Sequence, residues 1–197
     1  MVGIALLIIL AFIIGSIPVG VLVAKTKGID LKMVGSGNIG ATNVLRSLGK
    51  GPAALTLLGD VMKGVIVVAL GKYFGMGTFY QGLIGLSAIL GHNFSLFLRF
   101  RGGKGVATSL GVFILYSPQT ALITSIIWAV VVLTTKYSSL GALISFGLLP
   151  LNVILFDSDS KDKLPIAFLV TIFILLRHSD NIRRLMKGTE RRIGERV

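Results

Sequence analysis

The sequence predicts an all-α, polytopic membrane protein, a single domain over residues 1–197 that crosses a bilayer about seven times. Three observations carry this. Of the 197 residues 53% are hydrophobic and only 14% are charged, with a mean hydropathy of +0.87, whereas soluble domains carry about 25% charged residues. The charges are clustered, and a soluble domain of this size spreads them along every element. The runs between the clusters approach the length of about 20 apolar residues that spans hydrocarbon.

Taken in order, the runs are Val2–Ala24, Pro52–Leu70, Phe79–Leu98, Val106–Tyr116, Gln119–Thr134, Leu140–Phe156 and Leu164–Leu176. Unpaired backbone groups are not tolerated in hydrocarbon, so such runs must be helical. Val2–Ala24 lacks the basic start and small-residue cleavage site of a signal peptide and is read as a retained helix. The stretch from Val106 to Thr134 poses a choice. As one helix it would be roughly 43 Å long, against a hydrocarbon core of about 30 Å. Ser117-Pro118-Gln119 stands at its middle, and proline disfavours helix in the residue before it. Val106–Tyr116 is too short to span alone; either the preceding glycines extend it or its start is sunk below the membrane surface.

Charge arbitrates the count. With seven spans one side holds Lys25, Lys27, Lys32, Arg46, Lys50, Arg99, Arg101, Lys104, Lys136 and seven basic residues from Arg177 to Arg196. The other holds Lys72, Lys161 and Lys163 beside Asp157, Asp159 and Asp162, a ratio of 16 to 3. With six spans the C-terminal cations would move to the poor side. The positive-inside rule therefore selects seven, with the N-terminus outside and the C-terminus in the cytoplasm. It also accounts for much of the net charge of +12. Cysteine is absent, which excludes a disulfide scaffold, a thiolate metal site and a cysteine nucleophile. His92 and His178 have no carboxylate at metal-ligand spacing, so no metal is expected.

The chemistry gathers in the basic loops. Gly35-Ser36-Gly37-Asn38-Ile39-Gly40 formally matches a dinucleotide fingerprint, but no strand precedes it and no βαβ unit surrounds it. The physics beneath that motif remains: close glycines turn the backbone tightly and present N–H groups to an anion. Thr42, Asn43 and Arg46 follow, the last a planar fork suited to phosphate. A flexible linker would need none of these polar residues. Arg99 to Thr108 includes Gly102-Gly103-Lys104-Gly105. This is not a Walker A loop, since Leu98 stands where a glycine is required and Gly105 where Ser or Thr is. Its glycines would admit a phosphate to the backbone, with Lys104 as the point charge and the helix from Val106 aiming its positive end at the loop. Arg99 and Arg101 are explained by the positive-inside rule alone. Ser139 and Ser145 lie in the next connection, where bonding back to the helix is the competing reading. His178 and Asn181, three apart at a helix end, can face one site, whereas Arg183 and Arg184 read as an amphipathic tail on the lipid surface. Asp60 and Lys63, also three apart, are either functional or a self-neutralising pair.

Four segments, GSGNIGATNVLR, GHNFSLFLRFRGGKGVATSLG, KYSSLGALIS and RHSDNIRRLMKGTE, resemble the bacterial acyl-phosphate-dependent glycerol-3-phosphate acyltransferases, over nearly the whole chain. One departure is Ser95, where that family usually has proline. The resemblance implies acyl transfer from acyl phosphate to the 1-hydroxyl of sn-glycerol 3-phosphate, giving lysophosphatidic acid and phosphate. Other glycerol-phosphate acyltransferases place an aspartate five residues after a histidine; here Phe97 and Arg183 hold those positions. The resemblance implies catalytic roles for Ser36, Arg46, Lys104, His178 and Asn181. It implies substrate binding by Gly35, Gly37, Asn38, Gly40, Thr42, Asn43, His92, Gly102, Gly103, Ser139 and Ser145. The Gly35–Gly40 loop would cradle acyl phosphate, and Lys104, Arg46, His178 and Asn181 would hold glycerol 3-phosphate. The expected partners are these two substrates and membrane lipid, with no cofactor and no nucleic acid. The chain is expected to act as a monomer in the bacterial inner (plasma) membrane, multi-pass, with its active site at the cytoplasmic face. The competing reading is a transporter for phosphate or glycerol phosphate. It would place polar residues through both halves of the membrane, whereas the informative ones here lie on one side, and no inverted repeat is evident.

Overall fold

A computed structural model describes residues 2–195; Arg196, counted above with the C-terminal cations, lies outside them. Helices follow the apolar runs, with breaks wherever proline or glycine intervenes. They are α1 (Val2–Ser16), α2 (Val19–Lys25), α3 (Ala41–Leu48), α4 (Lys50–Tyr73), α5 (Thr78–Asn93), α6 (Val106–Tyr116), α7 (Pro118–Thr135), α8 (Ser138–Gly147), α9 (Leu149–Phe156), α10 (Ser160–Arg177) and α11 (Ser179–Met186), with a 3₁₀ turn at Leu96–Leu98. No strand occurs among the described residues. Four stretches are long and apolar enough to cross a membrane: Gly3–Lys25, Lys50–Tyr73, Thr78–Leu98 and Pro118–Thr135. Two bent pairs, α8 with α9 (45°) and α10 with α11 (59°), bring the number to six. The fold is thus an all-helical membrane bundle, with α6 as a shorter apolar helix.

Several boundaries differ from the sequence reading. The first run is interrupted at Ile17-Pro18, because proline offers no N–H to the preceding turn. The long stretch is two helices: Ser117 leaves the helical region at φ −152° and Pro118 opens α7. The run expected over Phe79–Leu98 leaves α-helix after Asn93. The basic segment after Gly40 contains α3, which was expected as loop.

Small residues decide the packing. Hydrocarbon is as apolar as leucine, so close van der Waals approach rather than water exclusion drives helix association in lipid. A Cβ on Gly15 would lie 2.1 Å from the Ala88 carbonyl oxygen, and one on Gly91 would lie 2.2 Å from that of Phe12. These two glycines seat α1 on α5. At the α4–α6 crossing a Cβ on Gly111 would lie 1.9 Å from the Val61 oxygen, and one on Gly64 would lie 2.3 Å from that of Thr108. Ile84, Ile89, Val112, Phe113, Ile166 and Ile174 fill the interior behind these contacts. Leu6, Leu10, Leu122, Leu133, Phe168 and Leu176 remain exposed and form the lipid-facing surface. At the end where α6 meets α7, Asp157 accepts hydrogen bonds from Ser117, Thr120 (2.7 Å) and Lys163 (2.8 Å), tying that break to α10.

The α4–α6 crossing has no room for a side chain. Gly111→Val should lower the melting temperature in detergent, at a cost of about 1–3 kcal/mol or more from overpacking. Gly3→Val, which meets open space, should leave it unchanged.

Candidate active site

Asn43 builds the first loop. It is buried near the start of α3, and its Nδ2 donates to the carbonyls of Leu31 (3.3 Å), Val34 (3.2 Å) and Asn38 (2.8 Å). Its Oδ1 accepts the Ser36 N–H at 2.8 Å. The loop wraps so closely that a Cβ on Gly35 would fall 2.1 Å from that oxygen, and both Gly35 and Gly37 have left-handed backbone (φ +61° and +70°). Ser36, Asn38, Gly40 and Thr42 are thereby held on the wall of a cavity of about 410 Å³, at the positive end of α3.

The second loop hangs from the end of α5. The last carbonyls of a helix lack partners within it. Here the Gly103 N–H donates to His92 O (2.9 Å) and the Gly102 N–H to Asn93 O (3.1 Å). From the other side Arg177 donates through Nε to Gly103 O (3.0 Å) and through a terminal nitrogen to Gly102 O (3.1 Å). A Cβ on Gly102 would lie 2.0 Å from His92 O. These two glycines therefore serve close approach to α5, and their N–H groups are committed there. Lys104, the next residue, reaches the cavity and donates to Asn181 Oδ1. Ser95 is buried and donates to Ser16 O at 2.5 Å, anchoring the loop to the end of α1.

The C-terminal segment closes the cavity. His178 and Asn181 lie on its wall beside Ser139 from α8. Glu190 accepts hydrogen bonds from Ser139 (2.7 Å) and Asn181 (2.6 Å) on Oε1 and from Arg184 (2.7 Å) on Oε2. Arg46 donates to the carbonyls of Arg191 (2.9 Å) and Arg192 (3.3 Å), and the Ile193 N–H donates to Lys136 O (2.8 Å). The tail is thus a strap fixed to α3 and to the α7–α8 turn. Away from these groups the cavity continues between α4, α6, α7 and α8, along Leu57, Val106, Leu110, Trp128, Ala142 and Phe146.

Burial sets the protonation states. It lowers the Lys104 ammonium to about 8, helped by the Arg184 charge and opposed by Glu190 and Asp180. It lowers His178 to about 4, with the Lys104 charge acting in the same direction, so the imidazole is neutral at pH 7. Its Nδ1 lies 2.8 Å from the Ile174 carbonyl. A carbonyl only accepts, so Nδ1 carries the proton and Nε2 is the free acceptor. Burial works to raise the Glu190 carboxyl, but the hydrogen bonds from Ser139, Arg184 and Asn181 outweigh it and keep it a carboxylate.

A family model described as glycerol-3-phosphate acyltransferase matches residues 5–188. The chain belongs to that family. It is 48% identical over 190 residues to a glycerol-3-phosphate acyltransferase of Thermus thermophilus, covering 96% of this chain and 95% of the relative. It is 42% identical over 192 residues to glycerol-3-phosphate acyltransferase 1 of Deinococcus radiodurans, covering 98% and 96%. Crystal structures of PlsY, an integral membrane glycerol 3-phosphate acyltransferase, superpose with TM-scores of 0.91 for the glycerol 3-phosphate form and 0.90 for the lysophosphatidic acid form. Both are 38% identical, covering 98% of this chain and 96% of theirs.

Within this acyltransferase fold, one cavity collects Gly35, Ser36, Asn38, Gly40, Thr42, Asn43, Arg46, His92, Lys104, Ser139, His178 and Asn181. Gly37 and Gly102 border a separate hollow with Lys32, Arg101 and Arg177. Gly103 lines neither of these two cavities and packs on His92. Ser145 is fully buried and bonds back to Ala142 O at 3.4 Å. Three residues that sequence reasoning gave no role in the site, Trp128, Arg184 and Glu190, also line the main cavity, as does Asp60 of the intramembrane pair. An acid among Arg183, Arg184, Lys187, Arg191 and Arg192 is the signal that marks Glu190.

The Lys104 value predicts a pH dependence of definite sign for any anion held at this ammonium. The charged form is lost as pH rises through about 8, so sulfate affinity measured by calorimetry should be constant near pH 7 and fall above about 8. Sulfate keeps its own charge over this range. Lys104→Arg should hold its affinity to about pH 9.5, since guanidinium stays protonated. A flat wild-type profile would contradict the burial assigned to Lys104.

Proposed function

We propose that the protein transfers a fatty acyl group from acyl phosphate to the 1-hydroxyl of sn-glycerol 3-phosphate, releasing lysophosphatidic acid and phosphate. The observation that carries this reading is the two-ended cavity. One end offers Lys104, Arg46 and a set of hydroxyl and amide groups suited to phosphates, and the other is an apolar arm between helices suited to an acyl chain. The PlsY structures described as the glycerol 3-phosphate and lysophosphatidic acid forms support the same acceptor and product.

Ser36, Asn38 and the start of α3 bind the acyl-phosphate group, while Lys104, Arg46, His178 and Asn181 bind glycerol 3-phosphate. Ser139 supports the second set through Glu190. Arg46 Nε is buried without a hydrogen-bond partner among the described residues, which leaves a donor for a ligand. The acceptor's 1-hydroxyl oxygen attacks the acyl carbon, the bond from that carbon to the phosphate oxygen breaks, and phosphate departs. Acyl phosphate is already activated, so orientation and charge stabilisation supply most of the rate. His178, lowered to about 4, is a weak base. A phosphate group with its second pKa near about 6 is a stronger one. The imidazole Nε2 accordingly orients the hydroxyl, and the substrate's phosphate takes the proton.

The same contacts support a membrane arrangement. The 25–50 segment, the 94–105 loop, Lys136 and the tail meet around one cavity. Each intervening pair of helices must therefore leave that face and return. This supports seven crossings, with α6 as a short span whose start is sunk at the cavity, and with the basic face in the cytoplasm of a bacterial inner membrane. Action as a monomer, without a cofactor, is part of the same proposal.

Purified protein in lipid, given acyl phosphate with and without glycerol 3-phosphate, should release phosphate and form lysophosphatidic acid only with both. Lys104→Ala should lose at least about 100-fold in kcat/KM, and His178→Gln should weaken turnover and acceptor affinity together. No product from folded wild-type protein would remove the enzyme reading in favour of anion transport. The chain has no cysteine, so single cysteines report topology directly. A membrane-impermeant maleimide applied from outside should label Lys161→Cys at once and Lys50→Cys only after permeabilisation.

A further inference from the structure

The chemistry above gives no task to a buried polar cluster between α4 and α5. Asp60, Lys63 and His92 are 2%, 4% and 4% exposed. Lys63 Nζ donates to Asp60 Oδ1 at 2.7 Å, and His92 Nδ1 lies 3.5 Å from the same oxygen. A buried ion pair adds little net stability compared with apolar residues of the same size, and ionisable groups at membrane depth mark function. The three groups are not equivalent. Asp60 and His92 line the cavity, whereas Lys63 does not. Lys63 is thus accounted for as the counter-ion, and Asp60 remains with its second neighbour, the His92 ring.

We propose that Asp60 is a positioning residue for acyl transfer, holding the His92 ring against the Gly102–Gly103 turn so that Lys104 is presented to the cavity. A carboxylate only accepts hydrogen bonds, so it draws the Nδ1–H side of the ring toward α4. Nδ1 makes no hydrogen bond among the described residues, and the Asp60 carboxylate at 3.5 Å is the acid it faces. With Nδ1 directed at Asp60, the opposite edge of the ring faces the turn, where a Cβ on Gly103 would lie 2.2 Å from Nε2. The same residue's carbonyl accepts the Gly103 N–H at 2.9 Å. His92 therefore sets the turn through both ring and backbone, and Lys104 is the next residue along. The lysine has a narrow target, since it must meet Asn181 while Asn181 is held by Glu190. A ring free to rotate would press on Gly103 and move the ammonium, and displacement of a binding group by about 1 Å costs on the order of 100-fold.

The inference rests on the acyltransferase reading, and its test separates the two. Asp60→Leu with Lys63→Met removes both charges and leaves no orphan ion in the membrane. The double variant should insert and melt like the wild type, while its kcat/KM falls about 10- to 100-fold, chiefly through a raised KM for glycerol 3-phosphate. A plain counter-ion role for Asp60 predicts wild-type kinetics, and that result would overturn the proposal. His92→Gln tested alone and within the double variant should give the same activity, because residues acting in series are not additive. Additive losses would equally overturn it. Should the double variant fail to insert, Asp60→Glu keeps the charge for Lys63 and moves the carboxylate relative to the ring. A raised KM supports the proposal and unchanged kinetics overturn it. A wild-type protein that makes no lysophosphatidic acid would instead dispose of the function proposed above.

Discussion

No water reaches hydrocarbon, so every backbone group at membrane depth must find a partner inside the protein. The site depends on how this constraint is met in its irregular segments. One loop wraps around Asn43, whose single side chain satisfies four backbone groups. The other hangs its N–H groups on the unpaired carbonyls of α5 and has its own carbonyls taken by Arg177. The C-terminal strap is tied by Arg46 and Lys136. None of these segments is flexible in the sense that its glycine content suggests. Their glycines record how closely one backbone passes another group.

The same economy of partners shapes the electrostatics. The cavity holds Lys104, Arg46 and Arg184, and the carboxylate of Glu190 lies among them. Glu190 fixes the amide of Asn181, because a carboxylate can only face its NH₂ side, and that leaves Oδ1 for Lys104. The lysine thereby has a defined position. Burial lowers its proton affinity, yet the neighbouring acid limits the effect, so the ammonium is charged at neutral pH. The neutral imidazole of His178 adds an acceptor without adding a further cation. Preorganised donors of this kind act without reorganisation when charge develops.

The short α6 links the fold to the chemistry. Its eleven residues cannot cross a bilayer core of about 30 Å if they start at the surface. The loop before it is drawn in beneath the ends of α5 and α10, and Val106 and Leu110 then line the cavity. Gly64 and Gly111 let α4 cross α6 at backbone contact, which brings Asp60 and Leu57 to the same cavity. A polar end and an apolar arm of the cavity thereby lie side by side.

What the sequence alone determined is the all-helical membrane class of the protein, the apolar runs that its helices follow, and the four segments that meet at the candidate site. Those properties are local: hydropathy acts on contiguous runs, proline acts on its own turn, and the glycine, lysine, histidine and asparagine residues of the site cluster in short motifs. The tertiary structure decided which members of each motif face the cavity. Asn43 and Arg177 hold backbone, Gly102 and Gly103 support His92, Ser145 turns back into its own helix, and Glu190 becomes the hub. Several of these roles are defined by a partner far away in sequence, such as Glu190 with Ser139 or Arg177 with Gly103. α3 and α11 escaped notice for a related reason. They are eight-residue helices, too short to be stable alone, and only their packing around the site makes them helical. Periodicity and spacing describe neighbours along the chain, and a membrane active site is built from neighbours across the bundle.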